Sequence, residues 1–190
     1  GSKDVVELLL KHGADVNAQG GFYGTALQAA ATYKGSKDVV ELLLKHGADV
    51  NAQGGYYGNA LQAAAAAAAT HEGSKDVVEL LLKHGADVNA QGGFYGTALQ
   101  AAATYKGSKD VIELLIKHGA DVNAQGGIYG TALQAAATYE GSKDVVELLL
   151  KHGADVNAQG EIYGTALQAA RYWGHKKIVK LLLRHGATET

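Results

Sequence analysis

The chain has 190 residues, 26 glycines, no cysteine, methionine or proline, and a formal net charge of −2 with its histidines neutral. The lack of cysteine excludes disulfides and thiolate metal sites, and the near balance of charge argues against nucleic acid as an electrostatic partner. The longest apolar run, residues 63–69, is all alanine and far too short to cross a membrane, and no signal-peptide pattern is present.

Residues 1–16 read as half of a unit. Ser2 is placed to cap a helix that starts near Lys3. Val5, Val6, Leu8, Leu9 and Leu10 give that helix a broad apolar band. Lys3 and Glu7, and Glu7 and Lys11, stand four apart, the second pair in the better orientation. Gly13, after His12, reads as a left-handed C-terminal stop. Methionine is missing even at residue 1, which reads as a processed or trimmed chain. Nothing precedes the first helix to cover its apolar band, so self-association through Val5, Val6 and Leu9 is expected.

The first full unit, 17–50, sets the pattern. Its opening NAQGGFYG is rich in turn formers. Thr25 and Gln28 fit a capping box for a small-residue helix over 26–33. Gly35 and Ser36 break it, and Ser36 starts a Leu/Val-rich helix over 37–46. Further copies span 51–88, 89–122, 123–156 and 157–189, opening at Asn51, Asn89, Asn123 and Asn157 with spacings of 34, 38, 34 and 34 residues from Asn17. Repetition at this period predicts a solenoid in a single domain, 1–190, with six Leu/Val-rich helices, five Ala-rich ones and no compact centre.

The second unit departs from the pattern. Asn59 takes the capping position, and the alanine run 63–69 accompanies four extra residues before Gly73. Alanine is the best helix former, so the run predicts a one-turn extension of the inner helix and a disturbance of the stack at its middle. The last unit differs in polarity. Glu161 replaces a glycine, Arg171 to His175 shorten the break, and Lys176, Lys177, Lys180 and Arg184 charge the final helix. Arg171, Trp173, Lys176 and Lys180 are therefore expected to form a C-terminal cap, with Trp173 covering the end of the stack.

The final unit, YGTALQAARYWGHKKIVKLLLRHGA, together with GADVNA at 47–52, 85–90, 119–124 and 153–158, resembles the ankyrin repeat. The likeness extends over the whole chain. It departs in having TALQ where the family has TPLH, no proline in any unit, and Ser36, Ser74, Ser108 and Ser142 where histidine is usual. The NAQGG.YG(T/N)ALQAA pattern resembles a variant common in fungal arrays, including sensor-like receptors. The resemblance implies an all-α, right-curving solenoid of stacked helix-turn-helix units with hairpin-like loops. It implies a concave face lined by the Ala-rich helices and partners that are proteins.

Candidate sites follow from the residues that stand out. The tips carry Phe22, Tyr56, Phe94, Ile128 and Ile162, each followed by tyrosine. The tyrosines suit packing along the stack, whereas the preceding, varying residue suits a surface that meets a protein. Tyr33, His71, Tyr105, Tyr139 and Trp173, beside Lys34, Glu72, Lys106 and Glu140, fall near the inner-helix ends, either as the edge of a groove or as surface drift. His12, His46, His84, His118, His152 and His185 recur a whole unit apart, too far to share a zinc ion. Asp49 and its counterparts read as loop-stabilising residues. Gly20-Gly21 is not followed by a phosphate-loop lysine, and no nucleophile stands with a base and orienter. The expected protein is not an enzyme and uses no cofactor, metal, nucleic acid or membrane. Two functions are carried forward: a consensus-like or engineered scaffold without an evolved ligand, and a natural protein-binding array, cytoplasmic if natural, such as the sensor region of a larger receptor.

Overall fold

A computed structural model describes residues 2–34, 36–70, 75–104, 106, 108–139 and 142–188. Its helices alternate in type along the chain. The outer, Leu/Val-rich set is α1 (Lys3–Lys11), α3 (Lys37–Lys45), α5 (Lys75–Lys83), α7 (Lys109–Lys117), α9 (Lys143–Lys151) and α11 (Lys176–Arg184). The inner, Ala-rich set is α2 (Ala26–Ala31), α4 (Ala60–Ala68), α6 (Ala98–Ala103), α8 (Ala132–Ala137) and α10 (Ala166–Tyr172). Each inner helix packs on the next inner helix, each outer on the next outer, and each inner on the outer that follows it. The core is therefore a lengthwise seam.

An outer helix buries a stripe one and four residues apart, such as Val39, Val40 and Leu43 in α3, and turns its charged residues outward. Aspartate sits in its first turn and lysine in its last, where each favours the helix dipole. It closes in a Schellman turn: the Gly47 amide donates to Leu44 O at 3.1 Å and the Ala48 amide to Leu43 O at 3.0 Å. Gly47 stands at φ 84°, a conformation that suits glycine. The histidine beside it is occupied locally: His46 Nδ1 lies 2.8 Å from Leu42 O, and His12, His84, His118 and His185 repeat the bond at 2.8–2.9 Å. One carbonyl left over at the helix end thus finds a partner.

Two local expectations, on the serine caps and on the open face of α1, are corrected, while the favoured ion pair forms. Ser2, Ser36, Ser108 and Ser142 stand at the N-cap position, yet none makes a side-chain cap bond. Ser142 Oγ instead donates to Ala136 O and to Tyr139 O, in the preceding inner segment. Ser74 lies outside the described residues. The favoured Glu7–Lys11 pair forms at 3.1 Å and holds the Glu7 carboxyl below its ordinary range through a hydrogen bond and the lysine charge. In α9, however, the other orientation closes, Lys143 with Glu147 at 3.0 Å. On exposed faces either contact stabilises little. Finally, Val6 packs against the core, and the large apolar residues exposed on α1 are Val5, Leu8 and Leu9, at 55–57%. Leu8 replaces Val6 on the uncovered face.

The alanine run does extend its helix. α4 has nine residues where α2, α6 and α8 have six, with Ala60 to Ala67 buried. The expected disturbance is not found at the fingers. The Tyr56 amide donates to Phe22 O and the Phe94 amide to Tyr56 O, both at 2.8 Å, so the pitch is equal on the two sides of the long unit. The added turn sits at the far end of α4, away from the fingers; Gly73 lies outside the described residues.

Candidate protein-binding surface

Between an outer helix and the next inner helix the chain runs out into a finger. Each finger is pinched by one antiparallel bridge, for example the Gly54 amide to Gly58 O at 2.7 Å. Asp49 Oδ1 accepts from the Asn51 amide at 2.9 Å, and Asp15, Asp87, Asp121 and Asp155 do the same. Their expected loop-stabilising role is what the geometry shows.

Two polar side chains then hold finger to finger. Asn17 Nδ2 donates to Gly47 O at 3.0 Å while its Oδ1 accepts from the Asp49 amide at 2.7 Å. Asn51, Asn89 and Asn123 reach the base of the following finger in the same two-handed way, and Asn157 takes Gly186 O and the Thr188 amide after the last outer helix. Gln28 does more. Its Oε1 accepts from the Thr25 amide at 2.6 Å, completing the capping box, and its Nε2 donates to Ala52 O, Gly54 O and Gly58 O at 2.9–3.1 Å. Gln62 and Gln100 place Nε2 on the equivalent three carbonyls of their next fingers. Gln28, Gln62, Gln100 and Gln134 are at most 1% exposed. Thr25 and Gln28 read from sequence as a cap alone. The signal missed was one amide side chain at a fixed place in an otherwise alanine helix.

The tips stack in two rows. Phe22, Tyr56 and Phe94 overlap face to face at 4.8 Å, and Tyr23, Tyr57, Tyr95 and Tyr129 stack at 6.2–6.5 Å. The tyrosines pack along the stack as expected. The preceding residues also pack: Tyr56, Phe94 and Ile128 are half-buried by their neighbours, while Phe22 and Ile162 at the two ends are 58% exposed. The stacked rings of Phe22, Tyr56 and Phe94 form an aromatic ridge that Ile128 and Ile162 follow on the next two fingers. Tyr33 hydrogen-bonds Tyr23 and holds that phenol above its ordinary pKa.

Among the inner-helix ends, His71, Glu72, Tyr105 and Glu140 lie outside the described residues. Trp173 corrects an expectation. It does not blanket the end of the stack; it turns back on Tyr163 at 6.5 Å and stays 50% exposed. With Tyr129, Thr138, Tyr139, Tyr163 and His175 it lines a cavity of about 370 Å³. His175 Nε2 meets Thr138 O at 3.0 Å, tying the last unit to the one before. Arg171, Lys176 and Lys180 are exposed beside a second hollow of about 380 Å³ that also touches Val179.

Stacked helix pairs, two-handed staples between neighbours and projecting fingers define a helical repeat array. The family model for ankyrin repeats matches residues 1–54, 65–160 and 127–190 in three copies, and the chain belongs to the ankyrin-repeat family. Comparison with curated proteins gives no match. Ankyrin repeats are generally non-catalytic scaffolds for protein interaction. Among the described residues no helix is long and apolar enough to cross a membrane.

Proposed function

We propose that the chain is a non-catalytic protein-binding array whose contact surface is the tip row Phe22, Tyr56, Phe94, Ile128 and Ile162. The observation that carries this reading is the ridge itself: rigid, apolar and open to solvent along its edge, with the stacked tyrosines fixing it from behind. Such groups contribute most at interfaces because they lose little freedom on binding. Serine at all five tips should abolish capture of a bound protein in a pull-down while circular dichroism stays unchanged. Undiminished capture overturns the assignment.

A consensus-like or engineered scaffold without an evolved ligand is the second reading. It is favoured by the near-identity of the units, in which the same staples recur and few surface positions vary. It expects no saturable partner for the tip row. The fungal sensor alternative rests on the NAQGG.YG(T/N)ALQAA pattern alone.

We also propose self-association through α1, on the exposed Val5, Leu8 and Leu9. The mass seen by light scattering should rise with concentration and fall to one chain when Val5 and Leu9 become lysine. A monomer mass at every concentration in the parent chain refutes it.

A further inference from the structure

Three gaps between adjacent fingers are closed alike, and the fourth is not. The Tyr56, Phe94 and Ile128 amides donate across to Phe22 O, Tyr56 O and Phe94 O at 2.8–3.1 Å. Among the described residues the Ile162 amide makes no such bond to Ile128 O. The staple is also reduced there: Gln134 Nε2 reaches Ala158 O and Gly164 O but does not take the intervening Gly160 O, as Gln28, Gln62 and Gln100 do at Gly54, Gly92 and Gly126.

The cause lies in one side chain. Gly55, Gly93 and Gly127 press against the previous finger so closely that a Cβ would fall 2.2–2.4 Å from the carbonyl carbon of Tyr23, Tyr57 or Tyr95. The corresponding residue of the last unit is Glu161, which has a Cβ. The last finger therefore stands off. Gly164 relaxes to φ 66°, whereas Gly24, Gly58, Gly96 and Gly130 hold 85–96°. A cleft of about 520 Å³ results, lined by Gln125, Gly126, Gly127, Gly130, Gln159, Gly160 and Glu161.

We propose that this cleft is an anchoring site for a guanidinium side chain of a protein partner. It rests on the reading of the tip row as a protein-binding surface and names the chemistry that surface would grip. The fingers are otherwise uncharged between their opening asparagine and the capping position, so Glu161 is the single formal charge on the row. A planar guanidinium can take its carboxylate in two parallel bonds. The remaining N–H groups would meet the amide oxygens of Gln125 and Gln159 and the glycine carbonyls. The glycine walls lack side chains that would bar entry.

The test uses the full chain, ¹⁵N-labelled, titrated with N-acetyl-arginine amide and, in parallel, with its citrulline and lysine counterparts. Saturable shifts are expected at Gly127, Gly160 and Glu161 with arginine, at least about tenfold weaker with neutral citrulline. Shifts spread equally over all fingers, or lysine binding as well as arginine, overturn the proposal. Two variants separate shape from charge. E161Q keeps the wedge, so the Ile162 amide should still exchange quickly while arginine binding is lost. E161G should close the gap, slowing Ile162 exchange to match Ile128, and lose binding as well. Arginine binding that survives in both variants refutes the site. The five-serine tip variant leaves Glu161 in place, so failure of the tip surface and failure of the cleft give different results.

Discussion

Replacing Gln62 with alanine should lower the stability of the array by about 3 kcal/mol or more. Gln62 is fully buried, and its Nε2 donates to Ala90 O at 3.1 Å, Gly92 O at 3.2 Å and Gly96 O at 2.6 Å. Without that group Ala90 O and Gly92 O of the next finger lose their donor and face a space the width of a side chain, while Gly96 O keeps its bond from the Gly92 amide. Each unsatisfied buried acceptor costs about 1–3 kcal/mol, less whatever a water can recover. Gln62→Leu should be nearly as harmful, although it fills the volume, because leucine donates nothing. If packing were the main contribution, leucine would restore most of the loss. Gln168→Ala supplies the contrast. Gln168 is exposed at the last unit, and its Oε1 accepts from the Thr165 amide at 2.8 Å. Its capping box contributes about 1 kcal/mol. Urea unfolding of the three variants, read by far-ultraviolet circular dichroism, gives the order directly.

The same residues show what was legible in the sequence. Repetition at a fixed period announces the solenoid, because each copy carries a face it cannot bury alone. The alternation of alanine-rich and leucine-rich helices follows from composition within the copy. Helix ends were readable where the cap is local: threonine three residues before glutamine, or glycine after histidine. They misled where the serine hydroxyl turned to carbonyls of the preceding segment, as Ser142 does at Ala136 and Tyr139. These carbonyls lie three and six residues back, so the hydroxyl serves the end of the helix behind it and not the start of the one ahead.

The candidate surface was legible in outline only. The varying tip positions stand out because everything around them repeats. Their mutual burial does not, since stacking at 4.8 Å depends on the spacing of fingers. That spacing is set by Asn17 and Gln28 and their copies, whose partners lie 24–36 residues away in the chain. Trp173 was misplaced for the same reason. Its size suggested a lid, but the shortened break carries it back against Tyr163.

Gly93→Ala should cost about 3 kcal/mol or more from one added methyl group. Gly93 sits at φ 61°, which for an ordinary residue costs about 1 kcal/mol. The larger part comes from its neighbour. A Cβ here would lie 2.3 Å from the carbonyl carbon and oxygen of Tyr57 and 2.4 Å from the Gly58 nitrogen, all of them backbone atoms. No rotamer change can relieve that contact, so the finger must move. Moving it breaks the 2.8 Å bond from the Phe94 amide to Tyr56 O and pulls apart the Tyr56–Phe94 and Tyr57–Tyr95 stacks. Gly21→Ala is the matched control. Gly21 has nearly the same φ, 65°, but nothing lies within 4 Å of its Cβ position. It should lose only the conformational part, about 1 kcal/mol. Equal losses at the two positions would mean that backbone strain, and not the approach of one finger to the next, fixes glycine there. A large difference would mean that Glu161 opens the fourth gap by the same clash that Gly93→Ala would create in the second.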